Sequence, residues 1–92
     1  MTFKTYIEDD KGQPVEGALV TANDEITGES FQRSTDGGGF ADVAMLGTSA
    51  PGHRVTFSVL DPQMRFKGYV AGDSLVIGAG DQQIAVALVP FV

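Results

Sequence analysis

Apolar and polar residues alternate with a period of two along most of this 92-residue chain. Phe3, Thr5 and Ile7 occupy one phase of this pattern, as in a strand with one buried face. Seven such segments lie between turn residues, at about 3–8, 18–23, 29–35, 40–46, 55–59, 66–70 and 84–88. Turns spaced every 8–12 residues are typical of an all-β sandwich. We therefore predict one domain over residues 1–92, formed by two packed antiparallel sheets.

Two segments leave alternatives open. The first, Ser74-Leu75-Val76-Ile77, predicts either a short extra strand or a loop that tucks its apolar residues under the sandwich. The second is the last strand, which is apolar on both phases, whereas a sandwich strand usually exposes one face to water. We expect its second phase, which holds Ala85, Ala87 and Val89, to be covered by residues 71–81 or by another chain. The first of these two coverings is favoured.

Charge and composition restrict the class of partner. The net charge is −6, and an acidic surface repels phosphate groups, so we expect no nucleic acid partner. The chain has no cysteine, which removes disulfides and thiolate metal sites. No apolar run approaches the roughly 20 residues that cross a bilayer, so membrane insertion is not expected. The sequence begins Met1-Thr2-Phe3-Lys4, which lacks the apolar core of a signal peptide.

Three motifs follow one another in an order that resembles a known family. They are Phe3-x-Thr5-x-Ile7-x-Asp9-x-x-Gly12-x-Pro14-Val15-x-Gly17-Ala18-x-Val20, then Thr35-Asp36-x-x-Gly39 followed directly by Phe40, then Pro51-Gly52 before Val55-x-Phe57-x-Val59. Together they resemble carboxypeptidase regulatory-like domains, whose second motif has one more residue before its phenylalanine. The resemblance implies a seven-stranded immunoglobulin-like, transthyretin-like antiparallel β-sandwich.

The motif residues are interpreted as folding residues. Gly12 and Pro14 shape the loop after the first strand, and Asp36 is expected to accept hydrogen bonds from backbone donors in its own turn. A fold does not imply a function. The transthyretin-like hydrolases of hydroxyisourate use several histidines and a C-terminal Tyr-Arg-Gly-Ser. This chain has one histidine and ends in Val89-Pro90-Phe91-Val92, so that activity is not expected.

Candidate catalytic and metal-binding residues are few. His53 is the only histidine, and a hydrolase would need it oriented by a carboxylate beside a nucleophile. We expect instead a solvated loop histidine, whose replacement by alanine leaves folding nearly unchanged. The acids at 8–10, 24–25 and 36 could supply oxygen ligands for calcium, but without a calcium-loop motif we expect solvated turn residues. No catalytic residue, cofactor or metal is therefore predicted.

The surface offers two candidate binding regions. Tyr6 and Tyr69 fall on the polar phases of their strands and could form, with Phe31, an exposed aromatic face for carbohydrate. Core packing or isolated exposure is the commoner fate of such aromatics. Ala85, Ala87 and Val89 leave a flat apolar strip on the last strand, which is typical of a surface approached by another layer.

Three functional hypotheses follow. The leading hypothesis is a non-catalytic accessory subunit of a larger assembly, such as a virion decoration or fibre-associated protein, bound to other proteins or to its own copies. Its basis is that almost the whole chain is predicted to be one sandwich and that no export signal is recognised. The second is a carbohydrate-binding or adhesive domain of an extracellular protein, which an exposed aromatic platform would favour. The third is a small hydrolase, which needs a pocket with His53 against a carboxylate.

Overall fold

The computed structural model describes residues 2–45, 50–70, 75–78 and 80–91. The regular secondary structure in these ranges consists of β-strands, without a helix. The strands are β1 (Thr2–Glu8), β2 (Leu19–Asp24), β3 (Ser30–Ser34), β4 (Phe40–Ala44), β5 (Arg54–Leu60), β6 (Tyr69–Val70), β7 (Leu75–Val76) and β8 (Gln82–Ala87). Each of the seven predicted strands has a counterpart. At residues 74–77 both alternatives are partly right, because β7 is a short strand and Ile77 is buried.

The strands form two sheets. One contains three strands in the order β4-β1-β8, and the other contains β3-β2-β5-β6 with β7 also paired to β5. The prediction of antiparallel sheets is wrong for one pair, because β1 and β8 run parallel, from Phe3 opposite Gln82 to Glu8 opposite Ala87. Alternation along a strand indicates which face is buried, but it carries no information about the direction of the neighbouring strand.

One cluster of apolar side chains between the sheets forms the core. Phe3 and Ile7 enter it from β1, Val20 from β2, and Phe57 from β5, each with at most 1% of its surface exposed. Burying a side chain of this size contributes about 1.5–3 kcal/mol. The predicted inward phases of β1, β2 and β5 are therefore confirmed. In β6 the pattern does not hold, since Val70 is exposed and Phe66 is half-buried outside the strand.

Four aspartates fix the turns between the strands. Each uses Oδ1 to accept a hydrogen bond from the backbone N–H two residues later, as in an Asx turn. These aspartates are Asp9, Asp24, Asp36 and Asp61. The prediction for Asp36 is thus confirmed, and its Oδ1 also accepts from the N–H of Phe40 at 3.0 Å. This second bond holds the first residue of β4 against the turn.

Candidate functional site

The outer face of the three-stranded sheet carries an open groove of about 660 Å³. Its outward-facing lining residues come from all three strands: Phe40 and Asp42 from β4, Lys4 and Tyr6 from β1, and Gln83 and Ala85 from β8. The pairing registers arrange them in two rows across the sheet, Phe40–Tyr6–Ala85 and Asp42–Lys4–Gln83. The groove therefore has an aromatic row beside a polar row.

The aromatic row is a pair of rings in contact. The centroids of Tyr6 and Phe40 lie 5.1 Å apart with the planes tilted by 41°, a geometry that is favourable for aromatic pairs. Phe40 nevertheless exposes 57% of its surface. Its ring also lies close to the backbone of Gly38, since a Cβ atom at Gly38 would be 3.1 Å from Cδ2 of Phe40. The exposed ring thus has contacts that limit its motion.

The polar row combines opposite charges with an amide. Lys4 lies directly opposite Asp42 on the antiparallel neighbour and opposite Gln83 on the parallel one. Its Nζ atom is 3.9 Å from Oδ2 of Asp81, in an ion pair whose two side chains are about half exposed. Exposed pairs of this kind contribute little to stability. These groups are consequently available to donate and accept hydrogen bonds at the surface.

The predicted aromatic face of Tyr6, Tyr69 and Phe31 is not a single surface. Tyr6 lies in the three-stranded sheet, whereas Tyr69 is in β6 and Phe31 in β3 of the other sheet. Phe31 is half-buried and packs against the core. The partner of Tyr6 is Phe40, which was identified from the sequence as a motif residue and not as part of an aromatic face. Its position in phase with Asp42, on the charged side of β4, was the available signal.

Tyr69 lies instead beside the strip of small residues on β8. A second groove, of about 260 Å³, is lined by Lys67, Gly68, Tyr69, Ala87, Leu88 and Val89. It forms where the chain after β8 crosses to the other sheet, because the N–H of Lys67 donates to the carbonyl of Val89 at 2.8 Å. Two candidate regions predicted separately, Tyr69 and the Ala87–Val89 strip, therefore adjoin.

The second phase of β8 is exposed. Ala85, Ala87 and Val89 all lie on the surface, with Val89 56% exposed. The favoured expectation that residues 71–81 cover them is wrong for the described part of that segment, because β7 pairs with β5 in the opposite sheet. Residues 71–74 and 79 lie outside the described ranges. Cover by another chain stays a prediction.

His53 differs from the solvated loop residue that was expected. Its Nδ1 atom is 2.8 Å from Oδ2 of Asp24, whose side chain is completely buried, while the His53 side chain is 22% exposed. A histidine against a carboxylate is one part of a hydrolase site. The ring is not hydrogen-bonded to a serine, threonine or tyrosine hydroxyl of the described residues, and neither groove includes His53. The bond therefore links the residue before β5 to the last residue of β2.

Three of the acids proposed as calcium ligands, Asp9, Asp24 and Asp36, accept hydrogen bonds in turns. Oδ1 of Asp9 accepts from the N–H groups of Lys11 and Gln13, and Oδ1 of Asp24 accepts from Ile26 and Thr27. Within the described ranges, no three histidines, cysteines or acids come together in a way that could hold a metal ion. Those acids therefore do not assemble into one site.

Comparison of the sequence with protein-family models and with curated protein sequences finds no match. The resemblance given above consequently depends on its motif residues alone. The part of the chain that the structure describes contains no helix of the length and apolarity required to cross a membrane. A functional proposal can be based on two features: the groove around Phe40 and the apolar strip of Ala85, Ala87 and Val89.

Proposed function

We propose that this chain is a non-catalytic interaction module with an immunoglobulin-like, transthyretin-like topology, serving as an accessory subunit of a larger assembly such as a virion. The resemblance to carboxypeptidase regulatory-like domains supports the topology. Its motif glycines Gly12, Gly17 and Gly39 all adopt a positive φ of 79°. A positive φ favours glycine because glycine has no Cβ atom to clash with the backbone. These motif positions therefore have roles in folding.

The observation that carries the assembly role is the exposed apolar edge formed by Ala85, Ala87 and Val89 beside Tyr69. Small side chains allow a second layer to approach closely, and an apolar edge strand is a surface that proteins usually cover or pair. A further copy of the chain, docked along β8, is the partner that we propose. Its contacts would remove Val89 and the Ala87 methyl group from water.

Sedimentation velocity over a range of concentrations tests this role. The unmodified chain should associate as its concentration rises, and Ala87→Lys should remain monomeric because a charge would enter the apolar contact. Ala44→Lys is the matched control, since it places the same charge at an exposed position of β4 in the same sheet. A chain that stays monomeric throughout, or an Ala87→Lys variant that associates normally, contradicts the proposal.

A carbohydrate-binding or adhesive role is the second candidate. The exposed pair of Tyr6 and Phe40, with its adjacent row of polar groups, favours it. This role requires the groove around Phe40, whereas assembly requires the edge at Ala87. Ala85 borders both surfaces. Substitutions at Phe40 and at Ala87 therefore separate the two functions.

A further inference from the structure

We propose that the groove around Phe40 binds one uncharged pyranose unit of a saccharide, with its apolar face stacked on the Phe40 ring and its hydroxyl groups bonded to the Asp42–Lys4–Gln83 row. The proposal rests on the second candidate function and names its ligand class. Small-molecule sites usually combine apolar and aromatic surface with a few placed polar groups. The groove has both in adjacent rows.

The stacking surface is Phe40. Its ring is the most exposed aromatic surface of the groove, and it is supported by Tyr6 at 5.1 Å and by the backbone of Gly38. An aromatic side chain has few rotatable bonds, so a ring already in place loses little freedom when a ligand covers it. Phe40, 57% exposed, therefore meets the requirement for a preformed stacking platform.

The polar row supplies the hydrogen-bonding groups that hydroxyls need. The Asp42 carboxylate accepts, the Lys4 ammonium donates, and the Gln83 amide does both. In β4 and β1 this row is two residues from the aromatic row, which is about 6.8 Å along a strand. One sugar ring with its substituents can span that distance. A ring stacked on Phe40 thus extends its hydroxyls toward Asp42 and Lys4.

The charges around the groove favour an uncharged sugar. Lys4 lies opposite Asp42 and also pairs with Asp81 at 3.9 Å. Arg33 and Asp36 lie with Phe40 and Asp42 around an adjoining pocket. Three carboxylates against two cations leave local negative charge, and the whole chain carries a net charge of −6. Sialylated, uronic or sulfated sugars are therefore repelled, whereas an uncharged hydroxyl can bond to either sign of charge.

The experiment measures binding of the intact chain to an array of immobilised uncharged and anionic oligosaccharides. Retention of uncharged saccharides is the expected result, and affinity should fall by about tenfold or more in Phe40→Ala. Phe40→Tyr should retain binding because it keeps the ring. Tyr69→Ala is the matched control, since it removes an exposed aromatic ring from the other groove.

Circular dichroism melting of each variant establishes that it is folded, which is expected because Phe40 is exposed. Ala87→Lys should bind saccharide normally even if it no longer associates, so the sugar site and the assembly edge can fail separately. Several results overturn the proposal: no uncharged saccharide is retained, retention is confined to anionic ones, or Phe40→Ala binds as well as the parent chain.

Discussion

The Nδ1 atom of His53 lies 2.8 Å from Oδ2 of Asp24, and this hydrogen bond joins the residue before β5 to the last residue of β2. The Asp24 carboxylate is fully buried, and its Oδ1 atom also holds the turn after β2 through Ile26 and Thr27. The backbone N–H of Glu25 donates to the carbonyl of Arg54 in the same region. His53 therefore belongs to a link between two neighbouring strands.

We predict that His53→Ala lowers the free energy of unfolding by about 1–3 kcal/mol, because a buried carboxylate loses one of its hydrogen bonds. This replaces the expectation from sequence that the substitution is nearly silent. His53→Asn should recover part of the loss, since its amide can donate from about the same position as Nδ1. Urea denaturation of both variants measures the effect. A His53→Ala loss below about 0.5 kcal/mol, the range of ordinary surface changes, contradicts the prediction.

How much the sequence could predict depends on whether a feature is local. The buried phase of β1 follows from the alternation of Phe3, Thr5 and Ile7, and the turn at Asp36 follows from its own neighbours. The His53–Asp24 bond joins residues 29 positions apart. Nothing in the sequence near either residue specifies the other, so the same His53 is equally compatible with a solvated loop.

The candidate groove is likewise a feature that local sequence cannot predict in full. Tyr6 could be placed on the outer face of β1 from its phase, but its neighbours depend on pairing with β4 and β8. The register that puts Phe40 opposite Tyr6 arises from long-range packing. For β8, apolar residues on both phases suggested cover within the chain, whereas the structure leaves Ala85 and Ala87 exposed. An apolar phase indicates a preference for burial without specifying what supplies it.

Thr35 should be more sensitive to loss of its hydroxyl than to loss of its methyl group. Its Oγ1 atom donates to the carbonyl of Val15 at 2.6 Å and accepts from the N–H of Ala18 at 2.9 Å, and the residue is buried. Thr35→Val keeps the shape but leaves both backbone groups without this partner, so we predict a loss of about 2 kcal/mol or more.

Thr35→Ser is the matched variant, because it keeps both hydrogen bonds and removes one methyl group. Its expected cost is about 1 kcal/mol. Thermal or urea unfolding of the pair gives the comparison. Equal losses, or a larger loss for serine, would show that packing outweighs the two hydrogen bonds at Thr35.

Asp61 should make stability depend on pH in the acid range. Burial raises the pKa of its carboxyl group, but hydrogen bonds from the Arg65 side chain and from the N–H groups of Gln63 and Arg65 outweigh this effect. The net pKa is lowered from the ordinary value of 3.8. A carboxyl group with a lowered folded-state pKa stabilises the fold above its unfolded-state pKa, and this stability is lost as pH falls through the folded-state value.

We therefore predict that the free energy of unfolding decreases below about pH 4, and that Asp61→Asn makes this decrease shallower. At neutral pH the variant should be less stable by about 1.5–3 kcal/mol, the usual size of a charge-assisted hydrogen bond. Asp9 also accepts backbone hydrogen bonds in a turn but is less buried, so Asp9→Asn should lower the free energy of unfolding at neutral pH by a smaller amount. Identical pH profiles for the parent chain and Asp61→Asn would contradict the assignment.

Among the glycines in the described ranges, Gly39 is the one whose replacement should damage the fold most. Its φ of +79° is a backbone shape that other residues adopt at a cost of about 1–2 kcal/mol. In addition, a Cβ atom at Gly39 would lie 2.5 Å from the carbonyl oxygen of Ile7 and 3.0 Å from Cβ of Pro14. The N–H of Ile7 also donates to the carbonyl of Gly39 at 2.8 Å. The turn before β4 therefore packs directly against the backbone of β1.

Gly28→Ala separates the two contributions, because Gly28 has a φ of +77° but no atom within 4 Å of the position of an added Cβ. We predict a loss of about 1–2 kcal/mol for Gly28→Ala, from backbone strain alone. Gly39→Ala should lose at least about 2 kcal/mol more, because β1 or the turn must move to admit the methyl group. Urea denaturation of the two variants measures the difference.

Should Gly39→Ala fail to fold, loss of the β-sheet signal in circular dichroism, with Gly28→Ala retaining it, supports the same conclusion. Equal losses in the two variants would mean that the contact between Gly39 and Ile7 yields easily, and that strain alone explains the glycine.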